Sequence, residues 1–291
     1  MTNFKGTGVA LITPFNNDNT IDYLSIDKLL NHVINGGVNY VVLLGTTGES
    51  VTLSLKEKNK IINFSKKIIN NRIPILVGIG GNNTNSILQE IEILDLNGVS
   101  GILSVSPYYN KPTQEGIYNH YRLISEHSKL PIILYNVPSR TGSNISSDTV
   151  LKLAHSYNNI VGIKEASGDM NQIMTILKEK PNKFDVISGD DALTLPMIYL
   201  GSCGVISVIG QAAPSMFSKM VNHALNMDIL EANKIHNKIF DYYSPLFEEG
   251  NPVGIKALLK NIGLCKNNVR SPLVKASNKL IKTLNSLEKI Y

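Results

Sequence analysis

The chain has 291 residues, 43% hydrophobic and 18% charged, with 28 basic and 23 acidic side chains for a net charge of +5. That length can bury a large core, as one barrel or two smaller domains, and the apolar fraction excludes a disordered chain. Two cysteines, Cys203 and Cys265, are too few to frame a disulfide-dense secreted scaffold, so a reducing compartment is expected.

The stretch from Met1 to Phe15 holds an apolar run broken by Pro14, short for a secretory leader. Leu195 to Gly210 is interrupted by Pro196, Gly201, Ser202 and Gly204, and falls short of a bilayer span. A cytoplasmic protein with no membrane segment is expected. The basic residues are scattered along the chain, which argues against nucleic acid as a partner. Their excess reads either as surface composition or as an interior field that gathers small anions.

In chain order, eight short β-branched runs start near Gly8 (GVALITPF), Asn39 (NYVVLLG), Pro74 (PILVGIG) and Gly101 (GILSVSP). The remaining four start near Pro131 (PIILYN), Ile160 (IVGIKEA), Asp185 (DVISGDD) and Gly204 (GVISVIG). Their apolar residues are successive rather than alternating, as in strands buried on both faces of a parallel sheet. Helices are predicted between them. Ile26, Leu29, Leu30 and Val33 mark the first, stopped by Gly36-Gly37. Ser54 and Glu57 form a capping box ahead of Ile61, Ile62, Ile68 and Ile69. Ile87, Ile91 and Leu94 mark a third helix, ended by Asn97-Gly98, and Ala192–Leu200 forms the shortest crossover.

Eight such units predict an α/β fold, a (β/α)8 TIM barrel. A doubly wound sheet would usually carry a glycine-rich phosphate turn after its first strand, but TPFNNDNT there has no glycine. The barrel is expected over residues 1–226, with 227–291 as a small C-terminal helical appendage. Within the appendage, Ile229–Tyr242 and Val253–Ile262 read as helices, and Ser271-Pro272 as the start of a last helix reaching Ile290.

Barrel active sites lie at the C-terminal ends of the strands. Strand six delivers Lys164 there, directly after the apolar Ile160–Ile163. A poorly solvated ammonium loses its proton more readily, and a neutral amine attacks a ketone to form a Schiff base. The alternative is a rim lysine reaching to solvent. Tyr135 ends the preceding strand, placed either to shuttle protons or merely to pack its ring. Tyr108 and Tyr109 face opposite ways on an extended chain, so at most one points into the mouth. Thr46-Thr47 offers hydroxyls and N–H groups to a carboxylate, or is a plain glycine-rich turn. Arg140 is either a clamp for another carboxylate or a solvated loop arginine. The six histidines show no metal-ligand spacing, and no triad elbow or P-loop is present, so neither metal nor cofactor is expected. Asp190-Asp191 reads as a cap for the following helix.

The residues alone thus point to a barrel enzyme with a Schiff-base lysine acting on small anionic carbonyl compounds. Six motifs also carry a resemblance: GTTGES at 45–50, YYNKP at 108–112, YNVPSRTG at 135–142, GIKEA at 162–166, SGDD at 188–191 and GVISV at 204–208. Together, in order and over nearly the whole length, they resemble the dihydrodipicolinate synthase family. That family belongs to the pyruvate-dependent class I lyase superfamily, with the N-acetylneuraminate and keto-deoxy-sugar lyases.

The resemblance implies condensation of pyruvate with aspartate semialdehyde in diaminopimelate and lysine synthesis. It implies Lys164 as the Schiff-base residue and a proton relay of Thr46, Tyr135 and Tyr109, the last supplied by a neighbouring subunit of a homotetramer. It further implies Thr47 as a ligand of the pyruvate carboxylate, with Gly189 and Ile206 lining the lysine's pocket. Arg140 would receive the aldehyde's carboxylate, which favours this family over its sugar-cleaving relatives. Ser50, Asn82 and Tyr108 are similar to lysine-inhibited members. Leu55, Lys58 and Ser86 depart from them, replacing two histidines and a glutamate, so weak or absent lysine feedback is expected.

Overall fold

The computed structural model describes residues 4–291. Eight parallel strands close into a barrel in chain order. They are β1 (Gly6–Ala10), β2 (Tyr40–Leu43), β3 (Ile75–Gly78), β4 (Gly101–Val105), β5 (Ile132–Asn136), β6 (Ile160–Glu165), β7 (Asp185–Ser188) and β8 (Gly204–Ser207). Each coincides with one of the eight apolar runs, and β1 pairs with both β2 and β8, so no edge is left open. The first run is shorter than its apolar pattern. Beyond Ala10 the Gln211 side chain takes over the pairing, donating to the Ala10 carbonyl and accepting from Ile12 N–H, both at 2.9 Å.

Helices α1 (Tyr23–Asn35), α2 (Leu55–Ile69), α3 (Thr84–Ile93) and α4 (Gln114–His127) follow the first four strands. The Ser54–Glu57 capping box forms with both of its reciprocal bonds. Helix α1 buries Ile26, Leu29, Leu30 and Val33, and α2 buries Ile61, Ile62 and Ile69 with Ile68 half-buried. Helix α3 stops before Asn97-Gly98 because Leu94 is already extended. There Asn59 accepts the Asp95 N–H and Lys66 holds the Asp95 carboxylate, tying the chain to α2 instead of another helical turn.

The second half of the barrel carries α5 (Pro138–Thr141), α6 (Ser147–Ser156), α7 (Met170–Glu179), α8 (Thr194–Tyr199) and α9 (Pro214–Leu225). Helix α8 is shorter than the stretch Ala192–Leu200, since Asp190 accepts the Ala192 and Leu193 N–H groups in a turn ahead of it. Beyond α9 lie α10 (Ile229–Tyr243), α11 (Pro245–Glu248), α12 (Val253–Asn261) and α13 (Asn278–Ser286). Buried side chains from these helices join the same continuous apolar core as β1 and α1.

The last helix differs from expectation. Ser271-Pro272 does not start it. These residues occupy a turn closed by Leu273 N–H to the Arg270 carbonyl, where Arg270 is anchored to the barrel loops. The helix starts at Asn278, capped by Ser277, whose own N–H is accepted by Glu249. It ends at Ser286, with Leu280 and Leu284 as its buried i,i+4 pair.

Inside the barrel a second apolar cluster fills the lumen, with Phe4, Tyr40, Leu76, Ile133, Ile187 and Ile206 among its members. Tyr40 lies fully buried across the lumen, edge-on to Phe4 at 5.5 Å between ring centroids. A β-carbon on Gly8 would fall 2.2 Å from the Tyr40 ring, so β1 needs a glycine to admit it. The bottom is therefore plugged, and access is left to the opposite end. No described helix is long and apolar enough to cross a membrane.

Candidate active site

Strand pairing brings the central side chains together. Tyr135 and Lys164 are register partners on β5 and β6. The Lys164 Nζ stands 4.5 Å from the centroid of the Tyr135 ring. Lys164 is only 5% exposed, so it is not a rim lysine, and Tyr135 is 7% exposed. Gly189, at the end of β7, makes room for it. A β-carbon there would lie 3.1 Å from Lys164 Cε and 2.6 Å from Ala166 Cβ.

Above this pair opens a cavity of about 500 Å³ at the C-terminal mouth, lined in part by Thr46, Thr47, Tyr135, Arg140, Lys164 and Gly189. Thr46 and Thr47 form a single-turn 3-10 segment after β2, with Thr46 exposed and Thr47 buried. Arg140 sits on α5. Its guanidinium makes no ion pair among the described residues, which leaves it free to receive an anion.

A neighbouring cavity of about 270 Å³ shares Thr46, Tyr135 and Arg140 and adds Ser50, Val51 and Tyr108. The tyrosine pair thus divides, but not through an extended backbone. Tyr109 adopts a left-handed φ of 70° and is 90% exposed, its ring outside both cavities. Ile206 also lies off the main cavity wall. At 1% exposure it belongs to the lumen cluster beside Tyr135.

Several residues of this site escape local sequence reading. Asn251 lines the cavity and donates from Nδ2 to Thr47 Oγ1 at 2.9 Å, while Phe240, Tyr243 and Phe247 bring an aromatic wall from α10 and α11. Their only sequence signal is a cluster of aromatics ahead of Asn251-Pro252. Glu165, next to Lys164, points away from the lumen and accepts from Asn136 Nδ2, Ser167 N–H and Gln172 Nε2. Burial pushes its carboxyl above the ordinary range, with those bonds opposing. Asn136 in turn donates to Asn144 and accepts from Ile145 N–H, stapling the loop that carries Arg140.

Neither carboxylate caps α8, contrary to expectation, since the helix starts after Leu193 with no side-chain cap. Asp190 is spent on the Ala192 and Leu193 N–H groups of the turn ahead of it, and Asp191 serves elsewhere. Its carboxylate accepts the Val208 and Ile209 N–H groups, tying the β7 loop to the end of β8. Burial raises it above the usual carboxylate range. Among the described residues, no cluster of three or more His, Cys, Asp or Glu is arranged to hold a metal ion.

The site therefore combines a buried primary amine, a phenol packed on it, an exposed hydroxyl and an unpaired guanidinium. That set suits carbonyl addition by the amine, with proton transfer beside it and an anion held at the rim.

The sequence matches the Dihydrodipicolinate synthetase family over residues 3–290. It is 49% identical over 286 residues to the 4-hydroxy-tetrahydrodipicolinate synthase of Flavobacterium psychrophilum, covering 98% of each chain. The fold superimposes on dihydrodipicolinate synthase from Aquifex aeolicus with a TM-score of 0.94 at 40% identity, covering 97% of this chain and 96% of the other. The Acinetobacter baumannii synthase complexed with pyruvate gives a TM-score of 0.95 at 38% identity, over 98% of both chains. With the closed barrel and the mouth just described, these matches show that the chain belongs to the dihydrodipicolinate synthetase family.

Proposed function

We propose that the chain performs its family's reaction, condensing pyruvate with L-aspartate 4-semialdehyde to 4-hydroxy-tetrahydrodipicolinate, a lyase-type step toward diaminopimelate and lysine. The observation that carries this reading is the buried Lys164 amine against the Tyr135 ring at the floor of the mouth. The neutral amine adds to the pyruvate ketone, and the carbinolamine loses water to give the protonated Schiff base. Loss of a methyl proton leaves an enamine, whose carbon attacks the aldehyde while the aldehyde oxygen takes up a proton. The semialdehyde's own amine then displaces Lys164 and closes the ring.

Tyr135 and Thr46 move the protons of these steps, with Tyr109 of a second copy completing the relay. Thr47 binds the pyruvate carboxylate, and Arg140 receives that of the semialdehyde. Gly189 gives the lysine its space, and Ile206 supports it from the lumen. The relay is the reason to read the assembly as a homotetramer built from two tight dimers. Tyr109 is 90% exposed and Val51, on the rim of the smaller cavity, is 81% exposed, side chains suited to meeting another subunit. We place the protein in the cytoplasm, where its free cysteines, Cys203 and Cys265, stay reduced.

Borohydride reduction with labelled pyruvate, followed by peptide mapping, tests the reading. The label is expected on the peptide containing Lys164. No adduct, or an adduct elsewhere, would refute it.

A further inference from the structure

The loop after β2 is held by an ion pair that the reaction does not use. Glu49 separates two single-turn 3-10 segments, Thr46–Gly48 and Ser50–Thr52, and takes a left-handed φ of 51°. A residue with a β-carbon persists there only where its surroundings over-determine it. Here they do. One Glu49 oxygen accepts from Lys256 Nζ at 2.5 Å and the other from Arg270 N–H at 2.9 Å, with Lys256 0% and Glu49 3% exposed. Lys256 also donates to the Asn268 carbonyl at 2.8 Å and lies 4.2 Å from the centroid of the Phe15 ring. Gly48, inside the first turn, is held by Thr13 Oγ1 through its carbonyl at 2.7 Å.

Glu49 N–H closes the first turn on the Thr46 carbonyl at 3.0 Å. Its carboxylate thus anchors the turn carrying Thr46 and Thr47, and the anchor is α12, built from the far end of the chain. We propose that Glu49 and Lys256 are positioning residues for pyruvate, a buried clamp through which the C-terminal helices set the Thr46–Thr47 turn. The inference rests on the functional reading above. It makes a selective claim, because Lys164, Tyr135 and Arg140 stand on β6, β5 and α5 and touch neither partner. Loosening the clamp impairs capture of the pyruvate carboxylate and proton transfer at Thr46, while the Lys164 amine stays in place. A stabilising ion pair with no positioning role would change only the folded fraction.

The test uses the full-length double variant E49Q/K256M, which removes both charges together and leaves neither ion buried alone. Borohydride trapping is run over a range of pyruvate concentrations alongside kcat, with the folded fraction measured by circular dichroism. In the folded variant the half-saturating pyruvate concentration is expected to rise about tenfold and kcat to fall about tenfold, with the adduct still on Lys164. Unchanged half-saturation, or a loss of activity that tracks the folded fraction alone, overturns the proposal. If the double variant does not fold, E49Q is held to the same two readouts, since glutamine keeps an acceptor for Arg270 N–H. If neither folds, the pair is structural and the proposal falls. A wild-type protein that forms no Lys164 adduct defeats the functional reading itself, whereas a normal wild-type adduct with unaltered variants defeats only the clamp.

Discussion

Lys164 and Tyr135 face each other across the β5–β6 ladder, with the ammonium nitrogen 4.5 Å from the ring centroid. The contact sets an amine and a phenol side by side, both buried and both lining the floor of the mouth. Packing alone would survive loss of the hydroxyl, whereas proton transfer would not. Tyr135→Phe keeps the ring and is expected to lower kcat by about 100- to 1,000-fold, with the fold intact. Labelled pyruvate is still expected to reach Lys164 on long incubation. A kcat within threefold of wild type would remove Tyr135 from the relay.

Arg140 lines both cavities and makes no ion pair with a carboxylate among the described residues. An arginine left unpaired at the mouth serves an incoming anion. Arg140→Ala is expected to cut kcat/KM for the semialdehyde by about 10- to 100-fold, the scale of one hydrogen-bonded charge. Pyruvate trapping on Lys164 should stay within about twofold of wild type, because Lys164 is held by β6 whereas Arg140 stands on α5. Equal losses in the two measurements would show that the residue serves the whole site and not the second substrate.

Lysine feedback is expected to be weak or absent. Lys58 is paired with Glu90 at 2.7 Å, so that carboxylate is already engaged. Ser86 supplies no negative charge for a ligand ammonium, and Leu55 no hydrogen-bonding ring. Initial rates at saturating substrates should therefore hardly change as lysine is added up to the substrate concentrations. Strong inhibition in that range would mean that other residues hold the ligand.

Glu57 gives the fold a defined acid sensitivity. Its hydrogen bond to Arg270, at 2.5 Å, together with bonds from Ser54, holds its carboxyl down at about 2 against a free value of 4.5. A carboxyl whose folded value is depressed binds fewer protons in the native state than in the unfolded one. Its stabilisation is therefore complete above about pH 4.5 and disappears as the pH falls toward 2. Denaturant titrations of wild type and E57Q should differ most at neutral pH and converge across that window. A difference that stays constant with pH would show that the bond stabilises without any linked proton.

Much of the architecture was legible because it rests on local patterns. Parallel strands covered on both faces need consecutive apolar residues, so eight such runs announce eight strands. The capping box at Ser54 and the apolar spacing of α1 are equally local. Lys164 and Tyr135 were legible for a related reason, since each ends a strand of a consecutive pair and barrel topology makes such strands neighbours. The misplaced features depend on contacts from elsewhere. Leu94 fits the α3 spacing, but Asn59 and Lys66 pull the chain out of the helix at Asp95. Ser271-Pro272 has the form of a helix start, but the anchoring of Arg270 makes it a turn. Tyr109 escapes the alternation of an extended chain because its backbone is left-handed.

By itself, then, the sequence determined the strand count, the barrel and the residues that end each strand, because periodicity and burial act over a few neighbouring positions. Only the tertiary structure decided how the mouth is completed. Glu49 and Lys256 meet across 207 positions of sequence, and Asn251 reaches Thr47 across 204. A buried charge must find its partner wherever the packed helices bring one, and no local spacing specifies which one that is.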